Sequence, residues 1–179
     1  MTITQTKIPG AYIIKREPFV DFRGSFARMF CKDEFAAVGI DMDIAQINLS
    51  VNNKKGTLRG LHYQQGTAAE DKLVTCISGA VFDVCVDVRS SSPTFMQYHG
   101  ETLSAENGLA MYIPKGCAHG FVTLQDNCSL VYLMSEFYVP NSSSGYRYDD
   151  PAFNINWQTE APYIISEQDL MWGYIRPVK

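Results

Sequence analysis

The sequence predicts an all-β protein of jelly-roll type, built from many short strands with very little helix. Three observations carry this. Apolar and polar residues alternate with period two over runs of five to nine residues, turn-forming clusters separate those runs, and helical periodicity is confined to two short stretches. Many short strands in one chain of 179 residues, large enough for a substantial core, read as a sandwich or small barrel of a single domain, 1–179.

Taken in order, strands are expected at Gly10–Lys15, Ser25–Phe30, Ala45–Val51, Gly60–Gln64 and Lys72–Ile77. Ser78-Gly79 then turns the chain into Ala80–Val88, the clearest run. Phe82, Val84, Val86 and Val88 share one face of it, and Val81, Asp83, Cys85 and Asp87 the other. Further strands follow at Leu109–Ile113, Gly120–Leu124 and Ser129–Ser135. Asn53–Gly56, Ala105–Gly108 and Pro114–Gly116 supply turn chemistry between them. Lys32–Val38 and Ser166–Met171 are the expected helices, the second with Ser166-Glu-Gln-Asp169 as an N-terminal capping pattern.

Composition narrows the function classes. A net charge of -4, with no basic run longer than Lys54-Lys55, argues against a nucleic-acid surface. The first ten residues lack the apolar run of a signal peptide, and no stretch approaches the ~20 apolar residues of a membrane span. A soluble, cytoplasmic protein is expected. Five cysteines with no C-x-x-C pair predict buried free thiols rather than disulfides or a zinc site. Rossmann, P-loop and nucleophile-elbow motifs are all missing from the sequence.

The segment Leu58-Arg59-Gly60-Leu61-His62 stands out, with Lys72 ten residues on. It places one of only three histidines in an apolar frame with two cations nearby. Two readings stay open for it alone: a packed strand histidine, or a base working beside an anionic, carbonyl-bearing substrate. His62 is followed by Tyr63-Gln64, and His119 stands isolated in Gly116–Phe121, so a metal-binding histidine pair is poorly signalled and no metal is expected.

Asp21-Phe-Arg-Gly-Ser-Phe26, Gln46-Ile-Asn48, Leu58–His62, Lys72, Pro114–Phe121, Tyr132 and Asp149-Asp150-Pro151 occur in an order and at spacings that resemble the dTDP-4-dehydrorhamnose 3,5-epimerase family. The resemblance covers roughly residues 8–170. It implies a cupin-like jelly roll, or double-stranded β-helix, working as a homodimer without cofactor or metal. Its substrate would be a nucleotide-diphosphate-linked 4-keto-6-deoxyhexose. The N-terminal ~30 residues of one subunit would reach the partner's site.

The same resemblance implies roles for individual residues. His62 is the base, Asp169 its partner, Tyr132 the acid on the opposite face of the sugar, and Lys72 the cation beside the enolate oxygen. Arg23 from the neighbouring subunit with Phe26 beside it, and Arg59, His119, Gln46 and Asn48, bind substrate. Tyr138 stacks on the nucleotide base. Without the resemblance, Asp169 reads equally as a helix cap, Tyr132 as a core aromatic, and each arginine as a solvated charge. Alternation further suggests that Asp83 supports Lys72, the other reading being a solvated strand face.

Three positions depart from the family pattern. Arg28 and Ser143 stand where glutamates are usual, and Gln168 where a basic residue is. All three belong to the implied substrate-contacting set, which points to an altered nucleotide or sugar. Two alternatives accompany the epimerase reading: a 3-epimerase or related sugar-nucleotide isomerase on the same scaffold, and a non-catalytic sugar-binding jelly roll.

Overall fold

In the computed structural model, which describes residues 1–176, the chain forms thirteen strands and two short helices. The strands are β1 (Thr2–Gln5), β2 (Tyr12–Lys15), β3 (Phe19–Asp21), β4 (Gly24–Phe26), β5 (Gln46–Asn52), β6 (Leu58–Gln64) and β7 (Lys72–Ser78). They continue with β8 (Ala80–Asp87), β9 (Tyr98–Ser104), β10 (Leu109–Ile113), β11 (Cys117–Thr123), β12 (Cys128–Met134) and β13 (Ser143–Gly145). The helices are α1 (Lys32–Ala36) and α2 (Glu167–Leu170). The last three residues of the expected domain 1–179 lie outside the described residues.

Two antiparallel sheets face each other. One runs β1-β2-β10-β7-β12-β5 and the other β13-β6-β11-β8-β9, with β3 and β4 as a separate hairpin. Sequential strands alternate between the sheets from β5 to β8 and again from β9 to β12, which is the jelly-roll pattern the alternating runs predicted. Between the sheets lies a core of Val74, Cys76, Val81, Cys85, Leu103, Met111, Ile113, Phe121 and Leu130. Behind the five-stranded sheet, Phe82, Val84 and Val86 pack under the C-terminal segment, led by Phe153 and Trp157. Behind the six-stranded sheet, α1 and its following loop lay Phe35, Ile40 and Met42 over Ile14, Leu73 and Tyr112.

Both faces of β8 are therefore buried, and the carboxylate-bearing face is the inner one. Asp83 and Asp87 are fully shielded from solvent, so the solvated-face reading is corrected. At Asp87, burial works to raise the carboxyl's pKa. Hydrogen bonds from Arg89, Ser92 and Thr94 outweigh it and hold the group down to about 2. All five cysteines are free.

Differences from the expected elements have local causes. The strand expected at Ser25–Phe30 stops at Phe26, because the chain leaves the hairpin to enter α1. Strands β1, β3, β9 and β13 carry no clear alternation: β9 is largely polar, and β13 is Ser-Ser-Gly held only by pairing with β6. No helix among the described residues is long and apolar enough to cross a membrane.

Candidate active site

A continuous cleft opens between the two sheets, formed by adjoining cavities of about 480 and 460 Å³ that share Asn48, His62, Lys72, Met134, Gln168 and Asp169. Its walls follow from strand alternation. On β5 the polar residues Gln46, Asn48 and Ser50 line the cleft, while Ile47, Leu49 and Val51 point out. The same sheet contributes Lys72 from β7 and Tyr132 from β12. The facing sheet contributes Arg59 and His62 from β6, and His119 and Phe121 from β11.

Arg59 and His62 are three residues apart, a spacing that strict alternation would send to opposite faces. The register between β6 and β11 shifts here: His119 pairs His62, but Phe121 pairs Arg59, so β6 carries one extra residue. Gly60 makes that bulge possible. Its φ is +120°, and a Cβ there would sit 2.6 Å from the Gly120 Cα. Leu58–His62, which stood out in the sequence, and the end of the Pro114–Phe121 segment thus lie on adjacent strands in contact through Gly60 and Gly120.

His62 Nε2 donates to Asp169 Oδ1 at 2.7 Å, and Asp169 Oδ2 accepts the Gly60 amide at 3.2 Å. Burial alone would raise the pKa of Asp169, but these hydrogen bonds and the imidazole's charge lower it. Whenever the ring is neutral, the bond to Asp169 leaves Nδ1 as the nitrogen with the free lone pair. Asp169 does cap-region work as well: its amide bonds the Ser166 hydroxyl, so the capping and site readings hold together. Trp172 lies edge-on to the imidazole, with ring centroids 6.2 Å apart.

Lys72 Nζ reaches across the cleft to the His62 carbonyl at 3.1 Å and pairs with Glu70 Oε1 at 3.0 Å. The expected support from Asp83 is corrected, because Asp83 Oδ1 instead accepts His119 Nε2 at 2.8 Å. The reason is register: Asp83 faces Phe121 across the β8–β11 pair, placing its carboxylate beside the neighbouring His119 on the inner face. Tyr132 meets the His119 ring edge-on at 5.8 Å. Burial, with the Asp83 carboxylate adding to it, pushes the Tyr132 phenol well above its ordinary pKa, so it stands as a proton donor.

Each basic group deep in the cleft thus has its own carboxylate. Arg59 differs, its Nε bonding the neutral Asn52 side chain at 2.9 Å. Tyr138 sits at the rim, on a loop whose amides bond Gln46 Oε1 and, through Val139, Gln64 Oε1. Ser143 and Gln168 line the cleft as well.

Arg23, Phe26 and Arg28 do not join them within one chain. Arg23 is exposed on the β3–β4 hairpin and paired with Asp21, with Phe26 exposed beside it, and Arg28 pairs with Glu34. Glu70, Gln64 and Trp172 were not singled out in the sequence. Glu70 and Gln64 adjoin Lys72 and His62 in the chain, but nothing in their spacing marks a buried partner. Trp172 reaches the site only because Gly145 has no side chain, since a Cβ there would meet the indole at 2.6 Å.

Comparison with known proteins identifies the family. Residues 5–176 match the family model for dTDP-4-dehydrorhamnose 3,5-epimerase. The curated enzyme of that name from Shigella flexneri is 42% identical over 171 residues, covering 95% of this chain and 93% of its own. A dTDP-6-deoxy-D-glucose-3,5-epimerase from Legionella pneumophila, solved with dTDP-4-keto-L-rhamnose, superposes with a TM-score of 0.92 at 37% identity, over 97% of this chain and 92% of that one. ChmJ, a 3'-monoepimerase from Streptomyces bikiniensis solved with dTDP-quinovose, gives 0.90 at 32% identity, over 96% and 86%. The chain belongs to the dTDP-4-dehydrorhamnose 3,5-epimerase family.

Proposed function

We propose that this protein is a carbohydrate epimerase that inverts carbons beside the C4 ketone of a dTDP-linked 4-keto-6-deoxyhexose. One observation carries the reading: His62 on one sheet, held by Asp169, and Tyr132 on the other, its phenol pushed well above its ordinary pKa by burial, line one cleft together with Lys72. The ketone makes protons on C3 and C5 acidic, because the electron pair left on carbon delocalises onto O4. His62 Nδ1 takes such a proton. The imidazolium formed is held by Asp169, and Lys72 stabilises the enolate oxygen. Tyr132 then protonates the carbon from the opposite face, closing one inversion. A buried phenol is a weak acid, but the carbanion is a far stronger base, so the transfer runs downhill. Side chains supply every group needed, so no cofactor is required.

Arg59, His119, Gln46 and Asn48 hold the sugar nucleotide, and the unpaired charge of Arg59 suits the diphosphate. Tyr138 at the rim stacks on the base. Arg23, Phe26 and Arg28 act from the N-terminal segment of a partner subunit in a homodimer. The place of Arg23 and Phe26 on an exposed hairpin and of Arg28 just after it, none of them lining the cleft of their own chain, supports this. Uncharged Ser143 and Gln168 at the cleft wall shift nucleotide or sugar preference. The protein works in the cytoplasm, where no membrane insertion is needed.

The test is solvent deuterium incorporation, read by NMR after mixing the enzyme with dTDP-4-keto-6-deoxyglucose in heavy water. Label is expected at C3 and C5, and no exchange across a panel of 4-keto sugar nucleotides overturns the reading. Label at C3 alone identifies a 3-epimerase, which the similarity to ChmJ makes the second reading. His62→Ala should lower exchange by about 10³-fold or more, whereas Tyr132→Phe should retain exchange but block inversion. Tight binding with no exchange would indicate a binding module instead.

A further inference from the structure

We propose that Glu70 is a positioning residue that fixes Lys72 in the cleft as an ammonium ion, directing the ketone toward enolisation rather than toward covalent capture by the lysine. This rests on the epimerase reading above.

Glu70 and Lys72 are both buried, their side chains 2% and 8% exposed, and their charged groups meet at 3.0 Å. Glu70 serves Lys72 alone: His62 and His119 are matched by Asp169 and Asp83, and Arg59 bonds Asn52. Stability does not account for the pair. A buried ion pair roughly breaks even against its desolvation, and here Glu70 Oε2 also lies buried without a hydrogen-bond partner, which adds cost. Such an arrangement at the wall of a reaction cleft points to chemistry.

Two consequences follow from the geometry. Lysine has a flexible four-carbon stem and three ammonium protons. Glu70 and the His62 carbonyl take two of those protons, which pins the nitrogen and leaves one donor. The carboxylate also opposes loss of a proton. A desolvated lysine becomes a nucleophilic amine when its neighbour is cationic, whereas an anionic neighbour works the other way. A free Lys72 amine beside the C4 ketone would form a C=N bond and release water, removing both substrate and catalytic cation.

The experiment compares the wild-type protein with Glu70→Gln, which keeps shape and an acceptor but not charge, and with Glu70→Ala. With dTDP-4-keto-6-deoxyglucose, kcat should fall about tenfold in the Gln variant and about a hundredfold in the Ala variant, with KM nearly unchanged, because the enolate interaction exists only in the transition state. With sodium cyanoborohydride added, which delivers hydride to an imine carbon, mass spectrometry should find a reduced sugar-nucleotide adduct on Lys72 in the variants and not in the wild type. Wild-type kcat in both variants, or equal adduct in the wild type, overturns the proposal. Binding of dTDP by calorimetry checks that each variant is folded. Should neither fold, the wild type still decides: in ¹⁵N-lysine-labelled protein, Lys72 should give an ammonium signal protected from solvent exchange, and an unprotected one refutes the role. Failure of the wild type to exchange deuterium with any 4-keto sugar nucleotide would instead strike the epimerase reading itself.

Discussion

At the scale of single residues, the interior of this jelly roll is unusual for the charge it holds. Six carboxylates, Glu70, Asp71, Asp83, Asp87, Asp150 and Asp169, are buried, and each is matched by a specific base or a set of donors. Three of them back groups in the cleft. Asp87 does not: it ties the end of β8 to the loop through Arg89, Ser92 and Thr94. Its carboxyl titrates at about 2, below the ~3.9 of an unfolded aspartate. Its contribution to stability is therefore fully present above about pH 4 and is lost as pH falls toward 2, amounting to about 2 kcal/mol. Urea unfolding of wild type and Asp87→Asn at several pH values should show a gap that narrows over that window. A gap independent of pH would show that Asp87 acts through shape rather than charge.

The decisive event at the element scale is the bulge in β6. An unbroken strand would put Arg59 and His62 on opposite faces of the sheet, one in the cleft and one in the apolar layer behind it. The extra residue at Gly60 lets both enter the cleft, while Leu58 and Leu61 both enter the rear cluster. Gly60→Ala should be costly for two reasons, a left-handed φ and a Cβ 2.6 Å from the Gly120 backbone. Destabilisation of about 2–4 kcal/mol is expected, with activity lost at temperatures where the variant remains folded. Thermal melts paired with exchange assays separate the two effects, and an active variant of wild-type stability would remove the bulge from this account.

Over the whole molecule, the outer face of β5 remains uncovered where α1 does not reach. Ile47, Leu49 and Val51 are 64%, 62% and 56% exposed, and Phe19, Phe22 and Phe26 are exposed on the separate β3–β4 hairpin. Contiguous apolar exposure on an edge strand marks an interface, and the proposed homodimer supplies its partner. Leu49→Lys should shift the protein toward monomer in sedimentation velocity and reduce activity with it. Subunit exchange tests the shared site directly. His62→Ala and Arg23→Ala are each expected to be inactive or nearly so, yet a mixture should regain activity, because a mixed dimer holds one site with both residues. No recovery on mixing, with subunit exchange demonstrated, would place Arg23 outside the partner's site.

What the sequence determined by itself is the content of this protein: its β class, the strands with strong period-two patterns, the free thiols and, through the family resemblance its motifs carry, many of the residues that line the cleft. Those are legible because alternation is a local property and because Leu58–His62 and Ala118–Phe121 each carry their glycine in a short, readable motif. Tertiary structure alone decided the pairings. Asp83 looked from alternation like a support for Lys72, yet the β8–β11 register gives it to His119, and Glu70 takes its place. Strands β9 and β13 were invisible because pairing, not propensity, holds them extended. Trp172 entered the site through a gap left by Gly145, a contact between positions 27 residues apart in the chain. Which groups share a proton depends on distances between strands, and a one-dimensional pattern fixes the faces of a strand but not its neighbours.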